Sequence, residues 1–126
     1  MRKGFGILAI VLIFSLAVAP SAWSAGHEIN IGFNIPLTGD NPDVGASSKN
    51  AAEMFLKKMP TVDVGGKTYN LKFVYEDNEY KAESAVKVST KLITEGGVLG
   101  IIGPQSSSQA VPAGEVANNM ATPMIS

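Results

Sequence analysis

The sequence predicts an α/β fold, a doubly wound parallel sheet with helices on both faces. Stretches of strand period and helix period alternate along the chain, the order expected when a crossover helix follows each strand. Proline and glycine punctuate them at Pro36, Pro60, Gly65-Gly66, Gly96-Gly97 and Gly103-Pro104. The first strand is apolar at every second position, so one of its faces must be buried.

Taken in order, Glu28–Ile35 sets Ile29, Ile31, Phe33 and Ile35 on one face of a strand. Pro36 ends it, and Leu37–Asp43 is a loop rich in turn formers. The spacing predicts a helix from about Val44 to Met59, with Ala52, Phe55, Leu56 and Met59 as its apolar stripe and Pro60 as its stop. Thr61–Glu76 reads as a hairpin turning at Gly65-Gly66. Its second arm alternates at Tyr69, Leu71, Phe73 and Tyr75 and is long enough for a main strand.

The polar turn Asp77–Tyr80 leads into a helix over Lys81–Glu95. Its apolar positions are Ala82, Ala85, Val86, Ser89, Leu92 and Ile93, and Gly96-Gly97 caps it. Val98–Ile102 is short and β-branched and reads as a buried strand. The next helix is expected to begin near Ser107 or Ser108. That start places Pro112 in the first turn, where N–H groups have no intrahelical partner. Pro123–Ser126 opens a further strand and the chain stops there, as an amino-terminal fragment would.

Composition bounds the function. With 126 residues, 45% of them hydrophobic, the chain is one domain or part of one. Ten basic against 11 acidic side chains, with no basic run, argue against a nucleic-acid partner. No cysteine is present, which excludes disulfides, thiol catalysis and thiolate metal sites. Arg2 and Lys3 precede the apolar run Ile7–Ala19, which is shorter than the ~20 residues of a bilayer span. Pro20 and small residues follow. These are the parts of a secretory signal, with cleavage expected after Ser24. Residues 1–24 are thus the expected signal peptide and residues 25–126 an exported, mildly acidic chain.

No catalytic set assembles. His27 is the only histidine and lies beside the expected cleavage site, so a serine–histidine nucleophile is not supported. Ser84-Ala85-Val86-Lys87 has the letters of a serine–lysine acylase motif, but mid-helix and without its partner motifs. Gly97, Gly100 and Gly103 lie in and around a strand, whereas the dinucleotide fingerprint needs its glycines in a strand-to-helix turn. Glu76, Asp77 and Glu79 lack the spacing of a calcium loop and read as turn-shaping residues. No cofactor and no metal is expected, and the chain reads as a non-enzyme.

The chemistry concentrates in Gly103-Pro104-Gln105-Ser106-Ser107-Ser108, where a strand ends and a helix begins. A helix start offers unpaired N–H donors and partial positive charge, which suit a carboxylate or other small anion. The plainer reading is a helix cap, for which one serine suffices. In doubly wound sheets ligands sit beyond the carboxyl ends of strands where strand order reverses, so the loops after Ile35, Glu76 and Gly103 are the candidates.

These stretches resemble the branched-chain amino acid (leucine/isoleucine/valine) substrate-binding proteins of ABC transporters. The resemblance runs through Ile31–Gly39, Gly45 with Ala51–Met54, Phe73–Asn78, Ala82–Ala85, Lys91–Ile93 and Ile101–Ser108, to Pro123–Ser126. It implies a periplasmic binding protein type I fold, of which residues 25–126 are a partial amino-terminal lobe. The implied function is capture of an amino acid, delivered to an ABC-transporter permease at the inner membrane. The same fold also serves as the sensing domain of receptors and regulators. By position Ser107 would bind the ligand's α-carboxylate, with Gln105 and Ser106 lining the site. Val44 stands where many members carry an aromatic residue, so one wall of the pocket differs. A segment just past the Pro123–Ser126 stretch, which completes the ligand shell in the family, and the second lobe lie beyond Ser126.

Overall fold

A computed structural model describes residues 27–126; the expected signal peptide lies outside the described residues. Five strands form one sheet: β1 (Glu28–Ile35), β2 (Thr61–Val64), β3 (Lys67–Asp77), β4 (Gly100–Ile102) and β5 (Met124–Ile125), in the spatial order β2-β3-β1-β4-β5. All pairings are parallel except β2 with β3, the hairpin that turns at Gly65-Gly66. Three helices connect them: α1 (Pro42–Lys58), α2 (Ala82–Thr94) and α3 (Ser107–Asn119). Strand order reverses at β1, because α1 leads to β3 on one side and α2 carries the chain back over to β4 on the other.

The period-2 pattern of β1 sorts the core into two layers. Phe33 and Ile35 pack with Ala52 of α1, flanked by Ile31, Leu37, Phe73 and Tyr75. On the opposite face Val88 and Leu92 of α2 pack with Val98 and Ile101, flanked by Val74, Ile93 and Met124. Both faces of β1 are therefore covered, not one. The alternate position Asn34 is fully buried beneath α2, its amide nitrogen donating to the Ala85 carbonyl at 2.8 Å and the Ser89 hydroxyl at 3.0 Å. Asn78 donates to the Asn34 side-chain carbonyl at 2.9 Å and accepts the Tyr80 N–H on its own side-chain oxygen, so both buried amides are satisfied.

Several boundaries shift for physical reasons. Helix α1 starts at Pro42, two residues before the expected Val44, because a fixed proline φ and a missing N–H suit the first helical position. Its apolar stripe is only lightly covered: Gly45 and Ala52 are buried, while Phe55 and Met59 are each 48% exposed. Helix α2 buries Val88 and leaves Ala82 exposed, a rotation of the expected stripe toward β4. Strand β4 starts two residues later than expected, at Gly100, leaving Leu99 exposed before it, and Ile102 within it is 42% exposed, so it is not buried throughout. Helix α3 starts at Ser107, yet Pro112 then falls in its second turn. The N–H that Pro112 lacks would have met the carbonyl of Ser108, an exposed residue whose carbonyl solvent can reach.

The aromatic side chains gather under α1. Phe33 lies 5.1 Å from Phe73 and 5.0 Å from Tyr75 between ring centres, and Phe55 of α1 stacks on Phe73 at 6.4 Å. Tyr75 donates its hydroxyl to Glu53 at 2.8 Å while Lys49 sits over its ring. Burial first, and then the neighbouring Glu53 carboxylate, push the Tyr75 phenol far above its ordinary value.

Candidate functional site

The crevice lies at the carboxyl ends of β1 and β4, neighbours in the sheet whose chains leave toward opposite faces. The β1–α1 loop forms one wall and the turn from Gly103 to Ser106 the other. The third candidate, the loop after β3, supports the first wall. Asp77 accepts the N–H groups of Leu37 and Thr38 at 2.8 and 3.2 Å and the Thr38 hydroxyl on its other oxygen. It also accepts the N–H of Glu79, shaping its own turn. Partial burial pushes the Asp77 carboxyl up, but bonds from the Thr38 hydroxyl and from the N–H groups of Glu79, Leu37 and Thr38 outweigh it. They hold the group below the usual carboxylate value. Among the described residues no group of three or more His, Asp or Glu is arranged to hold a metal ion.

Two glycines let the walls approach the sheet. A Cβ on Gly45 would lie 1.8 Å from the Pro36 carbonyl oxygen, so only glycine seats the first turn of α1 against the end of β1. Gly103 has a φ of +90° and its missing Cβ would meet the Asn34 carbonyl oxygen at 2.3 Å. Its N–H donates to Ile125 at 2.7 Å, which ties the turn to β5. The Gly103–Pro104 peptide is cis, and Pro104 is fully buried.

The three serines divide their labour. Ser106 occupies the N-cap position, but its hydroxyl caps no backbone N–H; it lies 3.0 Å from the Ser108 hydroxyl instead. The Ser106 carbonyl accepts the N–H groups of Gln109 and Ala110 at 3.0 and 2.8 Å. Among the described residues nothing pairs with the N–H groups of Ser107 and Ser108 or with the Ser107 hydroxyl. Ser107 is exposed. The helix start therefore presents unengaged N–H groups and one free hydroxyl from adjacent positions, the donor set that a carboxylate accepts.

Val44 and Gln105 come together through a residue that the sequence did not single out. The Ser48 hydroxyl donates to the Val44 carbonyl at 3.0 Å, and the Gln105 amide nitrogen donates to the Ser48 hydroxyl. Nothing distinguishes Ser48 from any other serine on a helix until β4 and α1 are placed side by side. Gln109 is a second surprise: it is 1% exposed, facing α2 with Ala113 and Ala117, and neither atom of its amide meets a partner among the described residues.

A cleft of ≈ 580 Å³ lies elsewhere. It lies on the α1 face of the sheet, between Phe55 and the uncovered side of Ile102 and Ile125, and Ser48 is its one polar side chain. An almost wholly apolar lining offers nothing to orient a polar ligand, so the crevice and not this cleft is the candidate site.

A family model described as periplasmic binding protein matches residues 28–126. Among solved structures the fold is similar to the leucine-binding protein LivK of Thermotoga maritima, with a TM-score of 0.69 and 23% identity over 76% of this chain. It is also similar to the branched-chain amino acid transporter substrate-binding protein LivJ of Streptococcus pneumoniae in complex with isoleucine (TM-score 0.67, 26% identity, 77% of this chain). A third is a solute-binding protein of an ABC transporter from Rhodopseudomonas palustris in complex with 3,4-dihydroxybenzoic acid (TM-score 0.69, 23% identity, 77% of this chain). The chain spans only 26%, 28% and 26% of those three structures. Among curated protein sequences none matches it.

Proposed function

The chain belongs to the periplasmic binding protein family, and from that premise we propose that it forms the amino-terminal part of an exported solute-binding protein. Its cargo is an amino acid of the branched-chain class, handed to an ABC-transporter permease at the inner membrane. Its role is capture and release, without chemical conversion. The observation that supports this reading most is the donor cluster at the start of α3. The free Ser107 hydroxyl and the unpaired N–H groups of Ser107 and Ser108 stand at the switch point of the sheet. They suit an amino acid's α-carboxylate, which does not vary with the side chain. Gln105, Ser106 and Val44 border the same crevice, and a second lobe contributed by the rest of the protein closes over the side chain.

The test is calorimetric titration of the full-length protein with L-leucine, L-isoleucine and L-valine. Ser107→Ala is expected to weaken binding more than tenfold, about 1.4 kcal/mol, as for a hydrogen bond to a charged group. Unchanged titrations would remove Ser107 from the site. Export makes its own prediction: the mature protein should begin at Ala25, as read from its intact mass and N-terminal sequence, with residues 1–24 gone.

A further inference from the structure

We propose that Ser48 is a positioning residue for the ligand site. It fixes the Gln105 amide so that the side-chain carbonyl oxygen is the atom offered to the ligand. This rests on the reading of the crevice as a carboxylate site and adds a specificity element to it: the ligand carries a hydrogen-bond donor close to its carboxylate.

The argument is one of donors and acceptors. A serine hydroxyl has one hydrogen and two lone pairs. Ser48 spends its hydrogen on the Val44 carbonyl one helical turn back, at 3.0 Å. What remains for Gln105 is a lone pair, and a lone pair takes an N–H. The Gln105 side chain reaches from the turn after β4 to α1 and donates its amide nitrogen there. Turning the amide over would set its oxygen against the Ser48 oxygen unless the hydroxyl gave up the Val44 carbonyl. The bond to the helix therefore favours the orientation in which the amide nitrogen faces Ser48.

The amide oxygen is left without a partner among the described residues, and Gln105 is exposed two positions before Ser107. The unpaired N–H groups of the helix start can only donate, and with the Ser107 hydroxyl they suit the ligand's carboxylate. Gln105 supplies the complementary acceptor next to them, suited to an ammonium or hydroxyl on the neighbouring carbon. An aliphatic acid without such a group would leave this oxygen unpaired once water is excluded, which disfavours it. The sheet thus reads both ends of the head group from one turn, with α1 holding the reader in register.

The experiment is a set of titrations on the full-length protein with two probes. One is whichever of L-leucine, L-isoleucine and L-valine binds most tightly. The other is its 2-oxo acid, which keeps the carboxylate and side chain but has no donor on the neighbouring carbon. Gln105→Leu is expected to weaken the amino acid about tenfold and leave the 2-oxo acid within about twofold. Ser48→Ala is expected to weaken the amino acid in the same selective way, by about threefold, and Ser48→Thr, which keeps the hydroxyl, to restore it. Combined with Gln105→Leu, Ser48→Ala is expected to add nothing, since both remove one element. Equal loss for both probes, or additive losses in the double variant, would overturn the assignment. Failure of the parent reading looks different: Ser107→Ala would then leave both probes untouched. If Ser107→Ala weakens both while Gln105→Leu discriminates neither, only the present inference fails.

Discussion

The two faces of the sheet are finished to different degrees. Beneath α2 and α3 the packing is closed: Ala85, Leu92, Ala113 and Ala117 are almost fully buried, and the polar Asn34 and Ser89 bond to each other. Beneath α1 it is open: Ala52 alone of the expected stripe is buried, and Phe55, Ile102 and Ile125 border an apolar cleft. The same strands serve both faces, so the difference comes from what covers them. Small residues on α2 and α3 let two helices share one side, while a single helix on the other covers only β1 and β3. The site sits at the rim where the closed face ends, and it draws its rigid parts from there.

Ile101 and Ile102 test that contrast within one strand, since they point to opposite faces. Ile101→Ala is expected to cost about 3 kcal/mol in urea unfolding, and Ile102→Ala less than about 1 kcal/mol. Equal costs in the full-length protein would mean that further chain fills the cleft and that the contrast belongs to this segment alone. Next comes the polar centre of the closed face. Asn34→Ala would strip the Asn78 amide nitrogen of its acceptor and the Ala85 carbonyl of its second donor, at a cost of about 2 kcal/mol. Loss of much less would show that the buried amides contribute position and not stability.

The mildest test is a pH profile at the rim. Asp77 is held below its ordinary value in the folded state. Its stabilisation is thus fully present above about pH 4, the range of an unfolded carboxylate, and is lost as pH falls through the lower folded value. The advantage of the native protein over Asp77→Asn should therefore shrink on acidification and be constant near neutrality. An advantage that grows on acidification would mean the clamp on Leu37 and Thr38 is not what depresses the group.

Much of this was legible in the chain. Alternation located β1 and β3, Gly65-Gly66 located the hairpin turn, and Gly96-Gly97 located the end of α2, because each rests on local backbone chemistry. Gly103–Ser108 was legible as a strand-to-helix turn for the same reason. What was hidden depended on partners distant in sequence. Asn34 looks like the solvent side of a strand until α2, far along the chain, lands on it. Phe55 and Met59 look like core because periodicity reports a face and not what meets that face. Pro112 was expected in a first turn because an interior proline forfeits a helical hydrogen bond, and here the bond forfeited is to Ser108, an exposed residue. Ser48 carries no signal at all, since its role exists only through Gln105 and Val44.

The strand order also sets a sequence of events in time. The strand at the centre of the sheet comes before every strand that flanks it: Ile31 lies beside Phe73 on one side and Gly100 on the other. As the chain is made, β1 waits for most of the described length to appear before its second edge is matched. The earliest strand is completed only after β3 and β4 have both been made, and closure of such long loops makes acquisition of the native sheet slow compared with the helices. The ligand crevice, bounded by β1 and β4, can form no sooner than the pairing of those two strands.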